Sequence, residues 1–164
     1  ISKISLFNNF PITHVKPHGA LNNMACEDIE ISLIIAKTIK EFCRDLIFIV
    51  LPKTKMETAA KKIKIKYACE IFADRNYQDN GNLIPRNKKN SLVLDPIKAS
   101  KNILRMLNES SIISFSGKKI KCDIDTICIH GDNKNALIIA NELKKLLSMN
   151  NYNFLNLNKL AKFN

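Results

Sequence analysis

His14-Val15-Lys16-Pro17-His18-Gly19 sets two imidazoles and an ammonium close together and follows them with a glycine. Upstream, Phe10-Pro11-Ile12-Thr13 reads as a turn leading into a short strand, Ile12 to Lys16. Pro17 has no N–H to give to a ladder and closes that strand. Downstream, Asn22-Asn23 precedes a helical pattern, so His18 stands between a strand and a helix. In α/β proteins that is the carboxyl edge of the sheet, where ligand sites gather. The same grammar recurs twice. Glu70-Ile71-Phe72-Ala73 runs into Asp74-Arg75, and Ile127-Cys128-Ile129 runs into His130-Gly131-Asp132. Three apolar strands that each end in ionisable residues point to one shared site.

The pattern between these stretches is that of alternating strands and helices. Periodicity predicts a helix from Met24 to Cys43, capped by Asn23, with Ile31, Ile34, Ile35, Ile39 and Phe42 as its apolar stripe. Leu46 to Leu51 is continuously apolar and rich in β-branched residues, as a strand covered on both faces of a parallel sheet should be. A helix from Thr54 to Lys64 and a strand from Ala68 to Ala73 follow. Asp74 to Asn90 is a loop, with Asn80-Gly81 and Pro85 as turn signals. Loops of that length inside a compact domain are functional or disordered. Asp95-Pro96 supplies the N-cap and first position of a helix that runs to about Asn108.

Ser111 to Ser116 and Lys119 to Ile124 flank Gly117 as a hairpin. Asp125 to His130 is a further buried strand. Lys134 to Met149 is the last helix, with Leu137, Ile138, Leu143, Leu146 and Leu147 as its apolar face. Ser2 to Asn9 reads as the end of a helix, and the Asn-rich tail from Asn150 is weakly specified. This order implies one α/β domain over residues 1–164, a parallel sheet joined by right-handed crossover helices.

Composition narrows the function classes. The formal charge is +11, which raises nucleic acid as a partner. Yet Ile, Lys and Asn make up about two-fifths of the chain, the lysines are spread along it, and no aromatic residues interleave with them. The basic surface is read as solvated, with no nucleic-acid partner. The longest apolar run, Leu46 to Leu51, falls far short of the roughly 20 residues of a membrane span, and no signal-peptide pattern opens the chain. The five cysteines are odd in number and lack a C-x-x-C pair, as free thiols in a reducing cytoplasm would be. The chain begins at Ile1 rather than Met, as a fragment of a longer reading frame would.

His18, His130, Asp74 and Asp132 are the acid–base candidates. Histidine takes and returns protons near neutral pH, and a neighbouring carboxylate fixes its tautomer. His14 ranks below them, as a packing histidine. Lys16, Arg75 and Arg86 are candidate anion binders. Tyr77 either donates to substrate from its phenol or packs under the loop, and Glu70 is either a paired structural carboxylate or part of the site. His and Asp at strand ends could ligate zinc or manganese, but no local ligand pattern assigns any residue to a metal. There is no G-x-x-x-x-G-K-[ST], and so no P-loop.

HVKPHGAL (14–21), EIFADRNYQDNGNLIPR (70–86) and ICIHGD (127–132) resemble the signatures of the LamB/YcsF family, in its order and at its spacing. The resemblance covers about the C-terminal two-thirds of such a protein. The family's N-terminal acidic motif, D-x-N-x-D-x-G-E, and its H-P segment before F-G-R are absent, and Asn22 stands where the family has Tyr. The resemblance implies an irregular (β/α) barrel related to sugar deacetylases, here without its first β/α units.

It also implies an activity: the A component of an ATP-dependent 5-oxoprolinase, opening the lactam to L-glutamate with subunits B and C, which would consume the ATP. Under it, His18, Asp74, His130 and Asp132 are the catalytic group, and Lys16, Arg75, Tyr77 and Arg86 bind substrate. The alternatives are a metal-dependent carbohydrate deacetylase, with a divalent ion, and an inactive truncated homologue. With the first units absent, the strand Ile12 to Lys16 should lack a neighbour on one side. Apolar faces of 46–51 and 24–43 should then meet solvent, leaving the chain aggregation-prone or partner-bound and inactive as a 5-oxoprolinase.

Overall fold

The computed structural model describes residues 2–163. Ile1 and Asn164, the two ends of the expected 1–164 domain, lie outside them. Four strands form a parallel sheet in the order β1 (His14–Val15), β2 (Ile47–Val50), β3 (Tyr67–Phe72), β6 (Thr126–Cys128). The register pairs Val15 with Phe48, Val50 with Cys69, and Phe72 with Cys128. A separate antiparallel hairpin, β4 (Ser111–Ile113) and β5 (Lys119–Lys121), lies between β3 and β6 in sequence. The helices are α1 (Ser2–Phe7), α2 (Gly19–Glu27), α3 (Ile29–Phe42), α4 (Lys55–Ile63), α5 (Pro96–Asn108) and α6 (Ala136–Met149). α3 packs on α4, and α5 on α6. The sheet is an arc of a (β/α) barrel, with β1 and β6 at its two edges among the described residues.

Alternation along the strands sorts their side chains to two faces. Phe48 and Val50 of β2 face the helices and join the main core with Ala36, Met56, Ala59 and Ile71. Ile47 and Ile49 face the other way and pack with Ala68 of β3. Leu157 and Phe163, from two short 3-10 turns, close over that inner face. The Asn-rich tail, expected to be weakly specified, therefore has a packing role. It also explains why 46–51 does not meet solvent as expected: Ile47 to Leu51 are all buried. β1 does have β2 as its one strand neighbour among the described residues, as an edge strand should.

The helix expected over Met24 to Cys43 is two helices. Asn22 and Asn23 lie inside α2, and the break falls at Asp28, which is extended at φ −109°. Its carboxylate accepts from the N–H groups of Glu30 at 2.8 Å and Ile31 at 3.2 Å, so Asp28 and not Asn23 caps α3. The Ser32 hydroxyl donates to the Ala25 carbonyl and ties the two helices together. The buried face of α3 is Ser32, Leu33, Ala36 and Ile39, while Ile34 and Phe42 are exposed. In α6 the buried face is Ile139, Leu143 and Leu147, and Leu137 and Ile138 are exposed. Apolar residues lie all round both helices, so their period alone does not select the face; the small Ser32 and Ala36, which permit close approach, do. The Asp95 cap is as expected, accepting from Lys98 N–H at 2.7 Å. Ile4 and Phe7 of α1 are exposed.

Candidate functional site

At the carboxyl ends of β1, β3 and β6 lies a cleft of about 530 Å³. His18, His130, Lys16, Arg75 and Arg86 line it. The strand grammar that singled out three stretches corresponds to one place in space. His18 is the residue before α2, extended at φ −125°, and its side chain makes no capping bond to the helix. Gly19 then turns the chain at φ +59°, in the left-handed region that favours glycine. Gly19 and Ala20 border the cleft, so the unpaired N–H groups of the first helical turn stand at its wall.

His130 is oriented by two partners, Asp74 and Phe72. Its Nδ1 lies 2.8 Å from Asp74 Oδ1 and 3.1 Å from Oδ2. Its ring stacks on Phe72, with centroids 5.2 Å apart and 15° between planes. Asp74 is 1% exposed. Burial alone would raise its carboxyl pKa, but the hydrogen bond and charge of His130 outweigh that, and the net shift is downward. Asp74 is thus an ionised acceptor, Nδ1–H donates to it, and Nε2 is left for other chemistry.

Lys16 forms an ion pair with Glu70, both side chains largely buried. Its Nζ lies 4.9 Å from the Phe72 ring centre and 3.4 Å from Cys128 Sγ. Burial, with Glu70 nearby, pushes the Cys128 thiol above its ordinary value. Phe72 and Cys128 were not in the expected site, and Glu70, read as either a paired structural carboxylate or part of the site, is a paired carboxylate beside it. The signal for them was alternation: Ala68, Glu70 and Phe72 share the inner face of β3, and a carboxylate there needs a partner.

The loop after β3 borders the cleft through Leu83, Pro85 and two arginines. Arg75 is buried, donating from Nε to Ser91 O at 3.2 Å and from Nη2 to Ile84 O at 2.6 Å. It clamps the two arms of the loop as well as facing the cleft. Burial and the charge of Arg86 lower its pKa from the ordinary arginine value. Arg86 donates from Nη1 to Asp132 at 2.9 Å, and these side chains are 50% and 65% exposed. Asp132, expected in the catalytic group beside a histidine, instead pairs with Arg86 at the rim. The Arg86 bond and charge hold its carboxyl below the usual range.

Of the two readings of Tyr77, the structure shows packing and not the substrate contact placed in the binding group. Tyr77 is fully buried, and its hydroxyl accepts the Phe72 N–H at 2.7 Å. The phenol is out of reach of a ligand in the cleft. His14 is not a packing residue: it is exposed, its Nδ1 2.9 Å from the Thr13 hydroxyl.

Among the described residues no group of three or more His, Cys, Asp and Glu could hold a metal ion. Nor does the cleft carry a glycine-rich phosphate cradle; of the glycines, only Gly19 lines it. Among the described residues no helix is long and apolar enough to cross a membrane.

The chain belongs to the LamB/YcsF family, whose sequence pattern matches residues 1–162. It is similar to the 5-oxoprolinase A subunit of Rhodopseudomonas palustris, 43% identical over 136 residues, covering 83% of this chain and 54% of that protein. The protein of the same name from Nitrobacter hamburgensis is 37% identical over 150 residues, covering 92% and 59%. A crystal structure of a lactam utilization protein from Thermus thermophilus superposes with a TM-score of 0.80 at 35% identity, covering 92% of this chain and 60% of that one. The chain thus spans a little over half the length of the curated relatives it matches.

Proposed function

We propose that the cleft binds a small anionic lactam and contributes to opening its ring, as the A component of a 5-oxoprolinase that converts 5-oxoproline to L-glutamate. The observation that carries this reading is the cleft wall. Lys16, Arg75, Arg86, His18 and His130 line it, and no carboxylate does among the described lining residues. The carboxylates stand behind: Glu70 against Lys16, Asp74 against His130, Asp132 against Arg86. Such a wall attracts an anion and supplies groups that move protons. The names of the relatives, a 5-oxoprolinase component and a lactam utilization protein, support the same substrate class.

Ring opening needs water delivered to the carbonyl carbon and a proton delivered to the ring nitrogen as the C–N bond breaks. His130, held by Asp74 through Nδ1, is suited to take the water proton on Nε2. His18 is placed to serve the nitrogen. Lys16, Arg75 and Arg86 hold the substrate carboxylate and the negative charge that develops on oxygen. A lactam is a poor electrophile, so coupling to ATP is reasonable. With no phosphate cradle among the described residues, that coupling is assigned to partner subunits B and C. The five free cysteines suit a cytoplasmic setting.

The test is glutamate release from 5-oxoproline and ATP with subunits B and C present, run beside a full-length relative. Release that depends on this chain and is abolished by His130→Gln supports the reading. Failure of this chain to bind 5-oxoproline or to release glutamate, under conditions where the relative does both, overturns it.

A further inference from the structure

We propose that Glu70 is a positioning residue for anion binding: its carboxylate holds the Lys16 ammonium at the floor of the cleft. The inference rests on reading the cleft as an anion site. Glu70 lies on the inner face of β3, and Lys16 follows β1, two strands away. Their long side chains meet over Ile49 of the intervening β2. Below the cleft is a second cavity, of about 400 Å³, lined by His14, Thr126 and Glu70 and sharing Lys16 and His18 with the cleft above. The ammonium therefore stands at the boundary of the two spaces, with its carboxylate on the lower side. A lysine has a flexible four-carbon stem and strong hydration, and the lower space is open to receive it. Contact with the Phe72 ring and the Cys128 thiol is too weak to prevent that; the ion pair is what can fix it.

Charge and position make opposite predictions here, which allows a clean experiment. Removing a carboxylate makes the cleft more positive, so a neighbour acting through charge alone would weaken anion binding, and its loss would tighten it. A positioning residue does the reverse. Glu70→Gln, in the whole chain, is compared with wild type in two measurements. One is the rate of Lys16 acetylation by an amine-reactive ester, resolved by peptide mass spectrometry. The other is titration with inorganic phosphate and with 5-oxoproline, followed by NMR.

Labelling of Lys16 is expected to rise, and affinity for the bound probes to fall, each by about fivefold or more. In a Lys16→Met background, Glu70→Gln should change affinity little further. Unchanged labelling, unchanged or tighter binding, or additive losses overturn the proposal. Faster labelling in the variant with no probe bound by wild type defeats the anion reading of the cleft, and with it the role given to Glu70, while the ion pair itself stands. If Glu70→Gln does not fold by circular dichroism, Glu70→Asp, which withdraws the charge by one methylene, carries the same measurements.

Discussion

Asp74 and His130 each lie two residues beyond the paired Phe72 and Cys128 of β3 and β6, and their side chains meet at 2.8 Å. The parallel register alone therefore brings the carboxylate to the imidazole. No loop has to find the geometry; two neighbouring strands that end together impose it. A rigid sheet edge is the better support for a group that must hold its tautomer.

Asp74→Asn should separate orientation from folding. The amide can present an N–H to Nδ1 and favour the wrong tautomer, with the proton on Nε2. Glutamate release should fall by about 10²–10⁴-fold, the range of a general acid–base contribution. Binding of 5-oxoproline, measured by calorimetry, should change far less, because Asp74 does not line the cleft. An equal loss in both would mean that the pair holds the cleft's shape and not a proton.

Tyr77→Phe tests whether the phenol is structural. β2 ends at Val50, with Pro52 close behind, so the Phe72 N–H on that side of β3 has outrun its neighbouring strand. The Tyr77 hydroxyl supplies the acceptor. Without it a buried N–H is left unsatisfied, at a cost of about 1–3 kcal/mol. The urea midpoint should drop accordingly, with 5-oxoproline affinity nearly unchanged. A variant as stable as wild type that binds 5-oxoproline much more weakly would return Tyr77 to the binding group.

These two residues show what was legible in the sequence. Strand ends bearing His18, Asp74 and His130 could be read, because apolar runs closed by ionisable groups mark sheet edges. Tyr77 could not be placed, because nothing local says that a phenol in a polar loop turns inward to finish a ladder. The Lys16–Glu70 pair was half legible: Glu70 in an apolar strand demanded a partner, but its partner is 54 positions away and set by curvature of the sheet. Helix faces in α3 and α6 were legible in part: Ile39, Leu143 and Leu147 are buried as expected, but Ile34, Phe42, Leu137 and Ile138 are exposed, because isoleucine and leucine extend beyond the buried face of both helices. The break at Asp28 lay hidden within one long apolar pattern, although Asp followed by Glu30 is a cap signal. The tail's role depended on an inner face that no pattern within the tail reveals.

Arg75 and Arg86 should behave differently on removal. Arg86 is at the rim, and its exposed pair with Asp132, screened by solvent, adds little to stability. Arg86→Ala should leave the melting temperature nearly unchanged while weakening 5-oxoproline binding, and the loss should shrink as salt is raised. Arg75 donates to two loop carbonyls from a buried position; Ser91 O keeps the Asn76 N–H, but Arg75→Ala strands Ile84 O. It should cost about 1–3 kcal/mol and increase proteolysis between Asn76 and Asn90. Arg75→Lys should not restore the loop, because one ammonium cannot reproduce the fork. Equal effects on stability at the two sites would contradict the division.

Acid stability follows from Asp74 and Glu57. For Glu57, as for Asp74, burial works upward on the carboxyl, but the bonds from Lys61 and the Lys53 N–H prevail and the net shift is downward. A lowered folded-state value means that the unfolded chain binds more protons in the acid range, so stability rises with pH there. The contribution is fully present above the ordinary values of 3.8 for Asp74 and 4.5 for Glu57. It is lost as pH falls from those values through the lowered ones. Urea midpoints of wild type, Asp74→Asn and Glu57→Gln, taken from about pH 7 down to about pH 2, read this directly. Each variant should be less stable than wild type at neutral pH, show a shallower acid limb, and converge on wild type at the lowest pH. A stability gap that widens on acidification would mean that these carboxylates are protonated more readily in the folded chain, against the assigned direction.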